Sequence, residues 1–324
     1  MPGTLLDRRL HFVVGKGGVG KTTVAAALAL LLARRGRRTL GVEMDSTGHL
    51  PTLLGAPGPA PAPRTVAPNL HVLSIEGRKA LEEYLGLMIP VKRLLHTVFS
   101  SRIYQYFVAA APGLKELMTV GKIWYEATRR EGARPAWDAI VVDAPATGHS
   151  LQYLRMPQAA RDTFGAGLVQ REAAKITDLL QDAATTAVHL VTLAEEMPVT
   201  ETLETCAQLH EPLRMPIGWV VANRLHRRRF APATIAALEA AAAALPAERA
   251  LLACVAERAT EESGWAAIND TNLARLRTGI GDSPLVLLPF FFVEEFGVEE
   301  LAQLSVVFES AVGARPPAAV RRRS

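Results

Sequence analysis

Cysteine is nearly absent: Cys206 and Cys254 are the only two in 324 residues, and they form no C-x-x-C pair. This argues against a zinc site, an iron–sulfur centre or a redox couple built within one chain, and makes a cytoplasmic home the natural expectation. Long apolar runs are missing too. The longest, Val24 to Ala33, falls well short of the ~20 residues that span a bilayer, so no transmembrane segment is expected. Arg8-Arg9 imitates a twin-arginine signal, but Lys16 and Lys21 interrupt the apolar region such a signal needs, and the start reads as mature fold. No G-x-S-x-G occurs, which excludes a hydrolase of the nucleophile-elbow type. No internal repeat is visible, which excludes a tandem two-site chain.

Excess charge is confined to one place. Arg315, Arg321, Arg322 and Arg323 lie in the last ten residues, and setting them aside leaves 32 of the 36 basic residues against 32 acids. The net charge of +4 thus belongs to a basic tail on a neutral body, and nucleic acid is not an expected partner. Lysine is scarce, at 7 against 29 arginines.

The chain does have apolar mass, 49% of its residues, enough for one large core or two smaller ones. Short β-branched runs alternate with helical stretches: His11–Val14, Thr39–Glu43, Leu70–Ile75, Trp137–Val142, Val188–Leu193, Ile217–Ala222 and Leu285–Leu288. Nearly continuous apolar strands alternating with helices predict an α/β fold with a doubly wound, mainly parallel sheet, whose ligands sit beyond the strand carboxyl ends. Residues 55–68 hold five prolines and predict a stiff surface connection, neither strand nor helix interior. Helical spacing of Leu81, Leu85, Met88, Leu94, Leu95, Val98 and Phe99 predicts a helical insertion near 77–130, joined by a second near 157–185. One domain is expected over 1–314, followed by a flexible tail, 315–324.

Gly15-Lys16-Gly17-Gly18-Val19-Gly20-Lys21-Thr22-Thr23 follows the first strand and opens an apolar helix. It satisfies G-x-x-x-x-G-K-[ST] in its proper strand–loop–helix setting. Such a loop turns backbone N–H groups and a helix N-terminus toward the phosphates of a bound nucleotide. ATP and Mg²⁺ are therefore expected, with Lys21 on the β and γ phosphates and Thr22 on the metal. Both cations of this loop are lysines in an arginine-rich chain, which points to a need for a compact ammonium at each place.

Asp143 ends a strand and precedes Ala-Pro-Ala-Thr-Gly-His-Ser-Leu. An acid there can hold Mg²⁺ through a bound water, and Thr147-Gly148-His149 predicts a flexible polar loop able to sense a γ-phosphate. Asp45 closes the second strand, where a carboxylate can orient the attacking water. Asn223 follows another strand with an amide suited to the adenine edge.

Lys16 directly after the first glycine resembles the deviant phosphate-loop ATPases: MinD and ParA, the nitrogenase iron protein and the ArsA family. The run from Asp143 to Leu151 is similar to D-T-A-P-T-G-H-T-L of the ArsA and tail-anchored-protein-targeting ATPases, and much less like the D-x-P-x-G of MinD and ParA. The family's counterpart around Asp45 reads D-P-A-H-S-L, so Asp45 aligns while His49 falls one place late. Glu196-Met-Pro-Val-Thr-Glu-Thr and Pro112-Gly-Leu-Lys-Glu-Leu also look like bacterial members. The resemblance runs from about Phe12 to Phe308. It implies a dimer in which Lys16 reaches the partner's phosphates, adenine recognition by Asn223 with Pro289 and its neighbours, and hydrolysis coupled to a client protein or transported anion. The dimer is expected to be of two identical chains or of this chain with a related ATPase. Closure would bring the helical insertions together, with Leu94, Leu95, Phe99, Tyr104 and Phe107 as possible contributors of apolar surface.

The resemblance does not extend to the known clients. Arsenite pumping in the family uses two fused halves and a cysteine site, and tail-anchored targeting uses a C-x-x-C zinc clasp with a methionine-rich groove; neither pattern occurs here. A second reading is a MinD- or ParA-like positioning ATPase on membrane or DNA, favoured by the arginine tail. A third, an iron–sulfur reductase, needs two cysteines beside the switches, and Cys206 and Cys254 lie elsewhere.

Overall fold

A computed structural model describes residues 4–44, 48–88, 113–145, 147–163 and 166–313. Asp45, the insertion residues Leu94, Leu95, Val98, Phe99, Tyr104, Phe107 and Pro112, and the tail 315–324 lie outside the described residues.

The fold is α/β. Strands β1 (Leu10–Gly15), β2 (Thr39–Met44), β3 (Arg64–Ala67), β4 (Leu70–Ile75), β7 (Ala139–Asp143), β8 (Thr186–Leu193), β9 (Ile217–Leu225) and β10 (Leu285–Pro289) form one sheet in the order β10-β9-β8-β1-β7-β2-β4-β3. Every neighbouring pair is parallel except β3 with β4. A two-residue ribbon, β5 (Arg130–Glu131) with β6 (Arg134–Pro135), stands apart. All six residues of β1 are buried, as a central strand covered on both faces requires.

The pleat sorts the apolar side chains between two layers. Phe12, Val14, Ile140, Val142, Leu190 and Ala222 face one core with helices α4 (Leu114–Thr128), α5 (Thr147–Thr163), α6 (Leu168–Gln181), α7 (Glu196–His210) and α9 (Arg249–Gly279). Val13, Val141, Val191, Trp219 and Val221 face the other with α1 (Lys21–Arg34), α2 (His49–Leu53) and α10 (Val298–Gly313). The ten-residue apolar run inside α1 is explained by this position: the helix is sandwiched between the sheet and α10, where Phe308 is buried.

Two expectations are corrected. Residues 64–67 form a strand, although they lie in the proline-rich stretch. Pro63 and Pro68 stand just outside it, and β3 is an antiparallel edge strand, where missing ladder donors are tolerated. Thr147, Gly148 and His149 are the first turn of α5, not a loop; a residue after Pro145 can start a helix without the amides that an interior turn must satisfy. The helical stretch expected between the runs at 217–222 and 285–288 is two helices, α8 (Pro232–Ala244) and α9. α8 is mostly alanine and largely exposed, so it carries no apolar stripe for periodicity to detect. Within 77–130 the described residues include α3 (Gly77–Met88) and α4.

A buried polar file crosses the second layer near the amino ends of the strands. Trp219 donates its backbone N–H to His189 Nδ1 (3.0 Å), His189 Nε2 is 3.0 Å from His11 Nδ1, and His11 Nε2 is 3.0 Å from the Arg8 carbonyl. With both rings neutral, one arrangement satisfies all three contacts: each imidazole carries its proton on Nε2. Burial pushes His11 down to about 3, aided by Arg37, and pushes His189 well below the usual histidine range, aided by His11.

Candidate functional site

The phosphate loop leaves β1 at the sheet's centre and is held from the β8–β9 side. A side chain at Gly15 would place its Cβ 2.2 Å from the Val191 carbonyl of β8. Gly20 has φ +91° and its Cβ would lie 2.3 Å from Asn223 Nδ2. Glycine is thus imposed twice, by contact and by backbone conformation. Asn223, buried at the end of β9, donates from Nδ2 to the Val19 carbonyl (2.9 Å), and Arg224 reaches the Gly18 carbonyl at 3.4 Å. Arg224 adopts a left-handed backbone conformation (φ 53°) to do so. Asn223 therefore braces the loop, a role the sequence did not suggest.

The two loop lysines differ. Lys21 Nζ donates to the Lys16 carbonyl (2.9 Å), and burial lowers its pKa, with Asp143 opposing the shift. Lys16 Nζ instead points to Glu201 Oε1 of α7 at 2.6 Å. Glu201 was visible in sequence only as one acid of the stretch Glu196-Met-Pro-Val-Thr-Glu-Thr.

On the other side of the loop stands Asp143, at the end of β7. It is hydrogen-bonded by Thr22, the second residue of α1, while its Oδ1 is buried with no hydrogen-bond partner. Burial raises its pKa to about 6, with Glu43 adding to the rise and Thr22, Lys21 and His49 opposing it. A buried carboxylate with an open oxygen beside a threonine hydroxyl and a lysine is what a hydrated divalent cation requires, and such a cation would draw the carboxyl pKa back down. The residues present fit Mg²⁺ and the phosphates of a nucleotide.

Glu43, opposite Asp143 in the β2–β7 register, is buried. Its carboxylate accepts from the backbone N–H of Gly48 (2.8 Å), His49 (2.7 Å) and Leu50 (3.2 Å) and from Ser74 Oγ (3.0 Å). It thus anchors the start of α2, just past the 45–47 segment. The signal for it was present: an acid inside an otherwise apolar strand has to find several donors. His49 itself is exposed.

Pro289 ends β10, and Phe290 N–H bonds to the Leu225 carbonyl (3.0 Å). Between the ends of β8, β9 and β10 lies a cavity of about 160 Å³ bordered by Glu195, Arg224, His226, Trp265 and Phe290. His226 Nδ1 pairs with Glu262 (2.7 Å), and its ring stacks on Phe290 with centroids 4.7 Å apart. A larger cleft of about 450 Å³ lies at the opposite end of the sheet beside Arg9, Arg37 and Asp138, away from the loop. Of the two cysteines, Cys254 is exposed and Cys206 is partly covered, its thiol pushed up to about 11 by burial. No described helix is long and apolar enough to cross a membrane.

Residues 8–172 match the family described as Anion-transporting ATPase. The chain is 36% identical over 230 residues to "ATPase BagA" of Mycobacterium tuberculosis, an alignment covering 69% of this chain and 67% of that protein. It is 31% identical over 230 residues to the "Arsenical pump-driving ATPase" of Escherichia coli, covering 68% of this chain and 35% of the relative. A "Putative arsenical pump-driving ATPase" of Halobacterium salinarum is 26% identical over 237 residues, covering 68% and 36%.

Proposed function

Because the chain belongs to the anion-transporting ATPase family, we propose that it binds ATP with Mg²⁺ and hydrolyses it to ADP and phosphate. In this reading it works in the cytoplasm as a dimer of identical chains, or paired with a related ATPase, and couples closing and opening to the handling of a client protein or anion. One observation carries the reading: Thr22 and Lys21 open α1 beside the buried Asp143, whose Oδ1 is unpartnered.

Phosphoryl transfer asks the protein chiefly for positioning and charge stabilisation. Backbone amides from Gly15 to Lys21, together with Thr22 and Thr23 at the helix start, hold the phosphates. The Lys21 ammonium, now on a carbonyl of its own loop, exchanges that partner for phosphate oxygens. Thr22 and Asp143 would hold the metal, Asp143 by way of a bound water, and Mg²⁺ there would neutralise charge on the phosphates. Asp45 orients the attacking water, and Lys16 reaches the phosphates held by the second chain. Asn223 and Pro289 border the adenine. One Nδ2 hydrogen is committed to Val19, which leaves Asn223 its second N–H and its amide oxygen for the base.

The reading is tested with purified Asp45→Asn. It is expected to dimerise with ATP and to lose turnover, measured by phosphate release beside sedimentation. Full hydrolysis by this variant would remove Asp45 as the water-positioning residue. Absence of Mg²⁺-dependent ATP hydrolysis in the unmodified chain would overturn the activity itself.

A further inference from the structure

Lys16 and Glu201 are 185 positions apart in sequence, yet their charged ends meet at 2.6 Å. The contact joins the phosphate loop to the second turn of α7, the helix that follows β8. Both backbones are fixed. Val191 of β8 packs against Gly15, as described above, and the Lys16 carbonyl is held by Lys21. Glu201 lies in a helical turn whose carbonyl accepts from Thr205 Oγ1 at 2.7 Å. Only the two side chains are free to change partners. Each is about one third exposed, 33% and 34%, so water and a competing anion have access to the pair.

Resting on the dimeric reading above, we infer that Glu201 is an in-chain counter-ion for Lys16, a latch that keeps this lysine on its own subunit until the phosphates of a nucleotide in a second copy displace the carboxylate. Phosphate oxygens and a carboxylate compete for the same ammonium donors. An ammonium has three donors, so the exclusion is one of place: Nζ now sits 2.6 Å from Glu201 on its own subunit and leaves that carboxylate when it moves to phosphates held by the second copy, so that each closure breaks two such pairs. Partly exposed pairs are worth up to about fivefold in an equilibrium constant. Releasing both raises the association constant by up to about 25-fold, a brake on closure without a block.

The test uses the full chain with Mg²⁺ and a non-hydrolysable ATP analogue, reading monomer and dimer populations by sedimentation velocity across protein concentration. Glu201→Gln keeps the shape and removes the charge; Glu201→Ala serves as the second variant, and melting curves verify folding of both. The expected result is a dimerisation midpoint about 5- to 25-fold lower in protein concentration than for the parent, only with nucleotide. In a Lys16→Ala background the same substitutions should change nothing. Equal or weaker dimerisation of both folded Glu201 variants, with a parent that does dimerise, overturns the latch and leaves the dimeric reading standing. An equal gain in the Lys16→Ala background overturns it as well, because the effect would not pass through Lys16. A parent that stays monomeric with nucleotide overturns the dimeric reading and the latch with it.

Discussion

The two ends of the same sheet treat charge in opposite ways. At the amino ends of the strands, Arg37 donates to the carbonyls of Leu6, Arg8 and Asp138, the Arg38 backbone N–H donates to the Asp138 carboxylate at 2.9 Å, and the Arg38 side chain pairs with Glu131. The guanidinium of Arg37 is tied into backbone and has no reason to move. At the carboxyl ends, Lys21 rests on a carbonyl that a phosphate can replace, Lys16 on a partly exposed carboxylate, and Asp143 keeps one buried oxygen without a partner. One end uses charge to hold the chain together; the other holds charge ready for something else. The desolvation that makes a buried ion costly is tolerated at the second end because a ligand of opposite charge can offset it.

That contrast can be broken most forcefully at Lys21. Lys21→Ala should lower kcat by roughly 10²- to 10³-fold, the cost of losing one preorganised donor to the reacting group, while the melting temperature barely changes. Large destabilisation with modest loss of turnover would erase the distinction. Arg37→Ala should do the reverse: about 2 kcal/mol of stability lost in urea unfolding, from charged hydrogen bonds to backbone, with kcat unaltered in the folded protein.

A smaller effect comes from the histidine file. Both imidazoles have folded-state pKa values below the usual 6.5, so the unfolded chain binds more protons below that pH. Their stabilisation is complete above pH 6.5 and is lost as pH falls, that of His11 toward about 3 and that of His189 in the same direction. Asp143, raised to about 6, runs the other way between pH ~6 and ~4, but it is one group against two. The expected outcome is a net loss of stability as pH falls from 7 to 5, read from urea midpoints at pH 7, 6 and 5. Unchanged midpoints would mean that the file tolerates protonation.

How much of this was legible in the sequence follows from how local each signal is. The phosphate loop, Asp143 and the parallel strands are written in contiguous residues whose spacing reports one element, and they stand where the reading put them. Glu201 and the Asn223 contact with Val19 depend on segments that meet only after folding, and a single strand or helix carries no record of its neighbour; Glu43 is more local, since Gly48, His49 and Leu50 follow it within seven residues and only Ser74 comes from another strand. The 147–149 turn shows a further limit: glycine beside polar residues suggests a loop, but the same residues can open a helix, and tertiary packing decides. The division of the helical stretch before β10 into α8 and α9 left no trace for the opposite reason, since alanine-rich α8 has helical propensity without a pattern. Edge strand β3 was hidden by prolines that bound it without entering it.

The file from Trp219 through His189 and His11 to Arg8 also has a spectroscopic use. Ring N–H protons of exposed histidines exchange with water too fast to be seen near neutral pH, whereas those of His11 and His189 are sealed under the sheet. Each should give a downfield proton resonance coupled to its own Nε2. Because the two rings bridge β1, β8 and β9, the pair reports from inside the protein on whether the strands beneath the phosphate loop shift when nucleotide is added.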